Sequence, residues 1–425
     1  MKEVIAMNLL IVPKPLFTSS MQVRGYYLAV QWGNALLESA KPNPLDRAMQ
    51  SPFVDFMNEV GLTALTQNNL LFIPFTQIQL FTAIDLIVAE SIEKDKVVFL
   101  LDTNIEYSDI VLERCEYFKK AGFKMAAYFR GKVNELLPVR EFLDFIFIKM
   151  QNADMIEQSK ILKAEFTKPV IVALDVESKP IFDKMVLHSA CKVDLFDGAF
   201  YKVHATANSK QNSLSPLKTN YIQLLNIVNQ EDFDFHTFTR TIRQDTALAI
   251  QFMRLVNNSS NVRSEIKNLN QAAAMLGQRE IKKWVSAAVN SALCVDSPTE
   301  IMRLSLIRAK FCENMAGPYE MGLMQENLFL TGLFSVLDVV LDLPIEDAFK
   351  MVYVPPVVHA ALVDKKGDFH DVLEFVKQYE MGHWNEISRI ALMRNISIEQ
   401  IHTAYKDALI WYSEMINFSV DHDVF

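Results

Sequence analysis

The sequence predicts two structural classes in one chain: α/β in the first half, as a (β/α) barrel, and all-α in the second. Three observations carry this reading. Short apolar runs alternate with helix-like stretches before about residue 205. A polar break, HATANSKQNSLSP (His204–Pro216), then ends that pattern. After it, apolar residues recur at spacings of three and four in segment after segment.

The expected strands are Leu9–Val12, Tyr26–Val30, Leu70–Ile73, Val97–Leu101, Lys124–Ala127, Phe145–Ile148, Val170–Leu174 and Asp194–Phe200. Short, mostly apolar strands that alternate with helices read as a largely parallel sheet, and about eight such units in some 200 residues fit a barrel. In Ile110–Ala121, for instance, Val111, Cys115 and Phe118 share one helical face while Glu113, Arg114, Glu116 and Lys119 stay polar. An open doubly wound sheet is the competing architecture, but no GxGxxG turn follows any strand. The expected division is a barrel over 1–205, a linker over 206–216 and a helical domain over 217–425. Within the helical part, Pro298–Thr299 and Pro344 open helices, and Gly317–Pro318 closes one. Gly277 sits between two helical patterns, as a C-cap or a close helix crossing.

Of 425 residues, 50% are hydrophobic and 22% charged, the balance of a packed protein. Through residue 210 there are 23 basic and 25 acidic residues, and after it 19 and 26, for a net charge of -9. Neither half offers a basic footprint, so no nucleic acid is expected. Cys115, Cys191, Cys294 and Cys312 lack metal-ligand spacing and read as thiols in a reducing cytoplasm. The apolar N-terminal run ends at Pro13 and reads as a first strand; no stretch suits membrane insertion, and a cytoplasmic location is expected.

Three stretches of the helical half carry a resemblance: IRQDTALAIQFMRLVNNSS (Ile242–Ser260), IKNLNQAAAMLGQREIKKWVSAA (Ile266–Ala288) and FLTGLFSVLDVVLDLPIEDAF (Phe329–Phe349), with YEMGHWNEI (Tyr379–Ile387) downstream. In consistent order they resemble the HDOD domain, in the version that follows a degenerate EAL domain in bacterial two-domain EAL–HDOD signalling proteins. The resemblance implies a TIM-like barrel of the EAL type, a class that hydrolyses cyclic di-GMP with two divalent metals held by oxygen ligands.

The barrel sequence resembles that class in frame and departs from it in chemistry. Val12–Gln31 is similar to the EAL opening and keeps Gly25 and Tyr26, but Tyr27 stands at the motif Glu and Gln31 at the Arg. Pro74 stands at a metal-binding Asn, and Leu100 at a Glu, with Asp102 two residues on. Tyr128 and Phe129 replace an Asp-Asp pair, while Phe147 and Lys149 take the places of a Lys and an Asp. Leu174 stands at a catalytic-type Glu, although Glu177 and Gly198 are kept, and Asp197 takes a Gln position. Apolar and aromatic groups cannot balance the charge of two metals, so no metal, no cofactor and no catalytic residue is expected. The HD-type site fares similarly. Ser335, Val336 and Leu337 stand where metal ligands would be, and His370–Asp371 and His422–Asp423 fall elsewhere.

The leading expectation is a non-enzymatic regulator that acts through protein–protein contacts, which the resemblance links to cyclic di-GMP networks, motility or biofilm control. The alternative is a non-hydrolysing cyclic di-GMP receptor using Tyr27, Tyr128, Arg130 and Lys149; an active phosphodiesterase ranks third. Candidate binding surfaces are an aromatic mouth of Tyr27, Tyr128 and Phe129, and Asp245, Asn257 and Trp284 in the helical half. Asp245 also reads as a helix N-cap and Asn257 as a left-handed helix end. Lys282 and Lys283 beside Trp284 form one basic pair in an acidic domain. That domain is expected to carry the main partner surface and to favour a basic protein.

Overall fold

In the computed structural model, which describes residues 9–37, 56, 59–82, 93–149, 155–202, 216–230, 233–257, 266, 268–294 and 298–420, all eight expected strands form. They are β1 (Leu9–Phe17), β2 (Val23–Trp32), β3 (Leu70–Phe75), β4 (Val97–Leu101), β5 (Lys124–Phe129), β6 (Phe145–Lys149), β7 (Val170–Val176) and β8 (Leu195–Gly198). They pair in sequence order and close into a barrel. Strands β2 to β8 are parallel, whereas β1 is antiparallel to both β2 and β8. The expected β/α alternation therefore starts one strand late. The loop 18–22 explains why: a parallel crossover needs about a dozen residues, so this short connection forces a hairpin. Its turn is closed by the Thr18 N–H donating to the Gln22 carbonyl at 2.8 Å, with Met21 at φ 64°.

Alternate residues of each strand point inward, and they fill the barrel. Leu16, Tyr27, Phe72, Val98, Leu100, Phe147, Val172 and Leu174 belong to one buried cluster, against which Leu70, Tyr128 and Val170 pack. Outside, the helix Asp109–Lys120 buries Val111, Cys115 and Phe118 as its periodicity requires, and Phe118 meets Phe99 edge-on at 5.2 Å. Cys115, Cys294 and Cys312 are buried and Cys191 is half-buried; burial pushes the Cys115 and Cys294 thiols up to about 12, so both stay protonated packing groups.

The β1 edge is finished by side chains rather than by a strand. Among the described residues, β1 pairs with β8 only at Phe17 and Phe196. The Ile11 N–H donates to the Tyr379 hydroxyl at 3.2 Å, and that hydroxyl donates back to the Ile11 carbonyl at 2.9 Å. Ile11 thus points its backbone groups away from β2, and residues 9, 13 and 15 share that direction. The Leu9 carbonyl accepts from His402 Nδ1 at 2.6 Å. Pro13 and Pro15 have no N–H to leave unpaired there. Two prolines inside a strand are tolerated because both face the side on which, among the described residues, β1 pairs with β8 only at Phe17.

Two compact units divide the chain: residues 1–203 with Tyr379–His402, and residues 204–378 with 403–425. The expected helical domain over 217–425 therefore gives up Tyr379–His402 to the barrel. The cause is the set of bonds that Tyr379, Ser388 and His402 make to the β1–β2 hairpin and the residues just after it. Residues 206–215 of the expected linker lie outside the described residues; the chain resumes with the helix Pro216–Val228.

Helices build the other unit, principally Phe235–Ile242, Thr246–Asn257, Leu269–Leu293, Thr299–Asn314 and Gln325–Phe334. Gly277 kinks the third of these at φ 80°, with no atom near its missing Cβ, so backbone freedom rather than close packing explains it. Gly332 is the opposite case. A Cβ there would lie 2.6 Å from the Arg308 carbonyl oxygen and 2.7 Å from the Ala309 Cα, because Thr299–Asn314 and Gln325–Phe334 cross in contact. Among the described residues no helix is long and apolar enough to cross a membrane. Gly332→Ala should force the two helices apart and cost about 1–3 kcal/mol, read as a lower urea midpoint at unchanged slope; an unchanged midpoint would contradict the crossing.

Candidate functional site

The carboxyl ends of β2 to β8 gather most of the positions singled out by the resemblance. Pro74 lies beside Leu100, Leu100 beside Ala126, Tyr128 beside Phe147, and Lys149 beside Leu174. Tyr27, Leu100, Phe147 and Leu174 are buried in the barrel cluster. Aromatic edges lock them: Phe147 stands 6.1 Å from Tyr27, 5.7 Å from Tyr128 and 5.3 Å from Phe72, each in a T-shaped contact. Phe129 follows Tyr128 by one residue and so faces the other side of the sheet. The structure brings Tyr27, Leu100, Tyr128, Lys149 and Leu174 to one mouth, and it leaves Phe129 out.

One polar group is sunk among them. Asp197 on β8 is buried, and its Oδ2 accepts from the Tyr27 hydroxyl at 3.0 Å and from the Asp175 N–H at 3.3 Å. Asp175 holds a left-handed backbone at φ 56° and pairs with Lys149 at 3.6 Å. Burial pushes the Asp197 carboxyl above the ordinary carboxylate range, and the Asp175 charge adds to this; Lys14 and the two hydrogen bonds pull the other way. Burial, then the Asp197 and Asp175 charges, push the Tyr27 phenol well above its usual value. Tyr128 is likewise raised by burial.

Beside Asp197 opens a cavity of about 280 Å³, lined by Lys14, Asp175, Glu177, Lys202, Glu380 and His383 among others. Lys14 stands opposite Tyr27 in the hairpin register, with Nζ 5.8 Å from its ring centroid. Lys202 lies 3.9 Å from Glu380. His383 precedes the helix Trp384–Arg394, and its carbonyl accepts from the Glu386 N–H at 3.0 Å and the Ile387 N–H at 3.1 Å. Sequence reasoning missed Lys14, Lys202 and Glu380 as mouth residues. Lys14 is legible only once β1 is known to be antiparallel to β2, and Glu380 lies far along the chain.

A pair of divalent cations needs several converging oxygen donors. Here Asp197 is already bonded to Tyr27 and Asp175, Glu177 is exposed, and Asp102 accepts from the Thr103 hydroxyl at 3.0 Å. Among the described residues, no three His, Cys, Asp or Glu side chains assemble as a metal-holding group. Among the described residues, the side chains at the mouth offer no converging set of oxygen donors for two such cations.

In the helical unit the candidate surface residues are engaged internally. Asp245 caps its helix, accepting from the Leu248 N–H at 3.0 Å, as the sequence suggests. Asn257 is not a left-handed helix end. Its amide clamps the Ile266 backbone, donating at 2.9 Å and accepting at 2.7 Å. Trp284 is buried against Phe252, 5.3 Å away, so it is no exposed binding residue, and the buried Tyr27 is none either. Lys282 pairs with Glu326 at 2.5 Å and Lys283 with the buried Glu313, which spends the basic pair on acids. At the HD-like segment, Ser335 accepts from Arg308 at 2.7 Å. His370 Nδ1 meets the Ala361 carbonyl at 3.0 Å, and His422–Asp423 lies outside the described residues.

Residues 214–347 match the HDOD domain, so the chain carries an HDOD domain beside an eight-stranded closed barrel. The chain is 25% identical over 421 residues to YuxH, an uncharacterized protein of Bacillus subtilis (strain 168), covering 97% of this chain and 100% of YuxH. It is 31% identical over 207 residues to the cyclic di-GMP phosphodiesterase CdgJ of Vibrio cholerae serotype O1, covering 48% of each protein. Among solved structures, an EAL domain protein from Listeria monocytogenes EGD-e superposes with a TM-score of 0.35 at 14% identity, over 46% of this chain and 87% of that one.

The buried carboxyl generates a pH prediction. A raised folded-state value means that the Asp197 contribution to stability is full below the ordinary carboxylate value of about 3.9. It is lost as pH rises through the folded value. Asn can place its carbonyl oxygen where Oδ2 accepts both bonds, without a charge to bury. Asp197→Asn should therefore raise the thermal midpoint at pH 7, with a difference that closes toward pH 4. A variant less stable at pH 7 would contradict this.

Proposed function

We propose that the protein is a non-enzymatic regulator in a cyclic di-GMP signalling network and that it acts through protein contacts. The observation that carries this reading is the barrel mouth. Tyr27, Leu100, Phe147 and Leu174 form a packed apolar plug where a phosphodiesterase needs metal-binding oxygens. The link to cyclic di-GMP rests on the 31% identity to a phosphodiesterase of that nucleotide, together with the HDOD domain. A plugged barrel retained beside such a domain is a scaffold, and its output is what it binds. The partner surface lies in the acidic helical half, where 26 acidic residues outnumber 19 basic ones after residue 210, and a basic protein partner with salt-sensitive affinity fits that charge.

The receptor alternative is less well supported. Of its four candidate contacts, Tyr27 and Tyr128 pack on Phe147, Arg130 donates to the Ile105 carbonyl at 3.2 Å, and Lys149 pairs with Asp175. The adjoining cavity sets Asp175, Glu177, Asp197 and Glu380 against Lys14 and Lys202, a poor balance for a dianionic nucleotide.

The test incubates the full chain with cyclic di-GMP in Mg²⁺ or Mn²⁺ and follows the product by chromatography, with calorimetry in parallel. No turnover and no saturable heat are expected. Saturable turnover abolished by EDTA would overturn the reading in favour of an enzyme, and saturable binding without turnover would replace it by the receptor.

A further inference from the structure

The segment Tyr379–His402 belongs to the barrel unit although it follows the HDOD domain in sequence. Its attachments fall at three places along its length. At one end the Tyr379 hydroxyl both accepts from and donates to the Ile11 backbone. In the middle, the Asn34 amide donates to the Ser388 carbonyl at 3.1 Å and the Ser388 hydroxyl accepts from the Ala35 N–H at 2.8 Å. At the other end His402 Nδ1 donates to the Leu9 carbonyl. Tyr379, Ser388 and His402 are all buried. Between the first two attachments, a Cβ placed on Gly382 would lie 3.6 Å from the Ala29 Cβ and 3.7 Å from the Lys14 Cε, and Glu380, Met381 and His383 line one wall of the cavity at the mouth.

These bonds satisfy a need that β1 creates for itself. Among the described residues its outer edge meets β8 at a single residue pair, so the N–H of Ile11 and the carbonyls of Leu9 and Ile11 require partners from elsewhere. Side chains of one short segment supply them in place of a strand ladder, so the bonds share a single carrier. The same helices that deliver the end attachments continue into the other unit: residues 368–378 of Asp368–Met381 and residues 403–420 of Ile398–Val420 belong to the helical body. There, the Asn314 amide donates to the Ala404 carbonyl at 2.8 Å, and Phe311 packs on Tyr405 at 5.2 Å, within three residues of His402.

The geometry points to a strap. Tyr379–His402 docks on and leaves the β1 edge as one unit, opens the wall of the mouth cavity when it leaves, and is the element through which a change in the helical body reaches the barrel. This does not depend on whether the barrel binds or cleaves a nucleotide.

Amide hydrogen exchange on the full chain tests it, with the ladder amides of β4 to β6 as internal reference. Tyr379→Phe removes the Ile11 bonds and keeps the ring. It should speed exchange at Ile11 and also at Ala35, whose partner Ser388 lies nine residues along the strap from Tyr379, by at least about tenfold. Ser388→Ala should give the same paired rise from the middle attachment. Asn314→Ala, made in the helical body, should raise both amides by at least about threefold while the reference stays within error. A rise confined to the amide whose own partner was cut, or wild-type rates at Ile11 and Ala35 in Asn314→Ala, would overturn the strap.

Discussion

A closed barrel of eight strands has an interior that side chains must fill to ordinary protein density. Because strand residues alternate in and out, only certain positions are available for that task, and the same positions at the carboxyl ends would present catalytic groups. Packing and chemistry compete for them. In this chain packing has taken Tyr27, Leu100, Phe147 and Leu174, which seal the mouth as a continuation of the core. Asp197 remains, and the plug dictates its state: buried, raised, and tied to a phenol and one backbone N–H.

A second constraint follows from the antiparallel first strand. The hairpin at 18–22 sets β1 against β2 but leaves its other side short of a partner strand. Pro13 and Pro15 reduce the number of N–H groups that need one, and Tyr379 and His402 serve Leu9 and Ile11. The barrel is therefore completed by residues that follow the HDOD domain, and the two units alternate along the chain, which returns to the helical body at residue 403. A boundary drawn only by order along the chain misses this.

Much of the fold was legible in the sequence. All eight strands and the main helices follow from periodicity, since burial on one or two faces writes itself into residue spacing. The direction of β1 was readable from the shortness of 18–22 but is hidden in a pattern that otherwise alternates regularly. The attachment of Tyr379–His402 was not readable, because hydrogen bonds between a tyrosine and a backbone 368 residues away leave no local trace. At the candidate site, which residue types stand at the strand ends was plain in the sequence, whereas the fate of the aromatics was not. Tyr27 and Trp284 suit either a surface or a core, and only packing against Phe147 and Phe252 decides for the core. Asn257 shows the same limit, as an asparagine at a helix end whose amide holds the Ile266 backbone instead of turning the chain.

The central claim is that the mouth is filled by core rather than by metal ligands, and metal affinity tests it most directly. The full chain is titrated with Mn²⁺ while the electron paramagnetic resonance signal of the free ion is followed. A plugged mouth predicts that the free signal grows in proportion to added metal from the first equivalent. Saturable uptake of about two ions per chain, lost in Asp197→Asn, would contradict it.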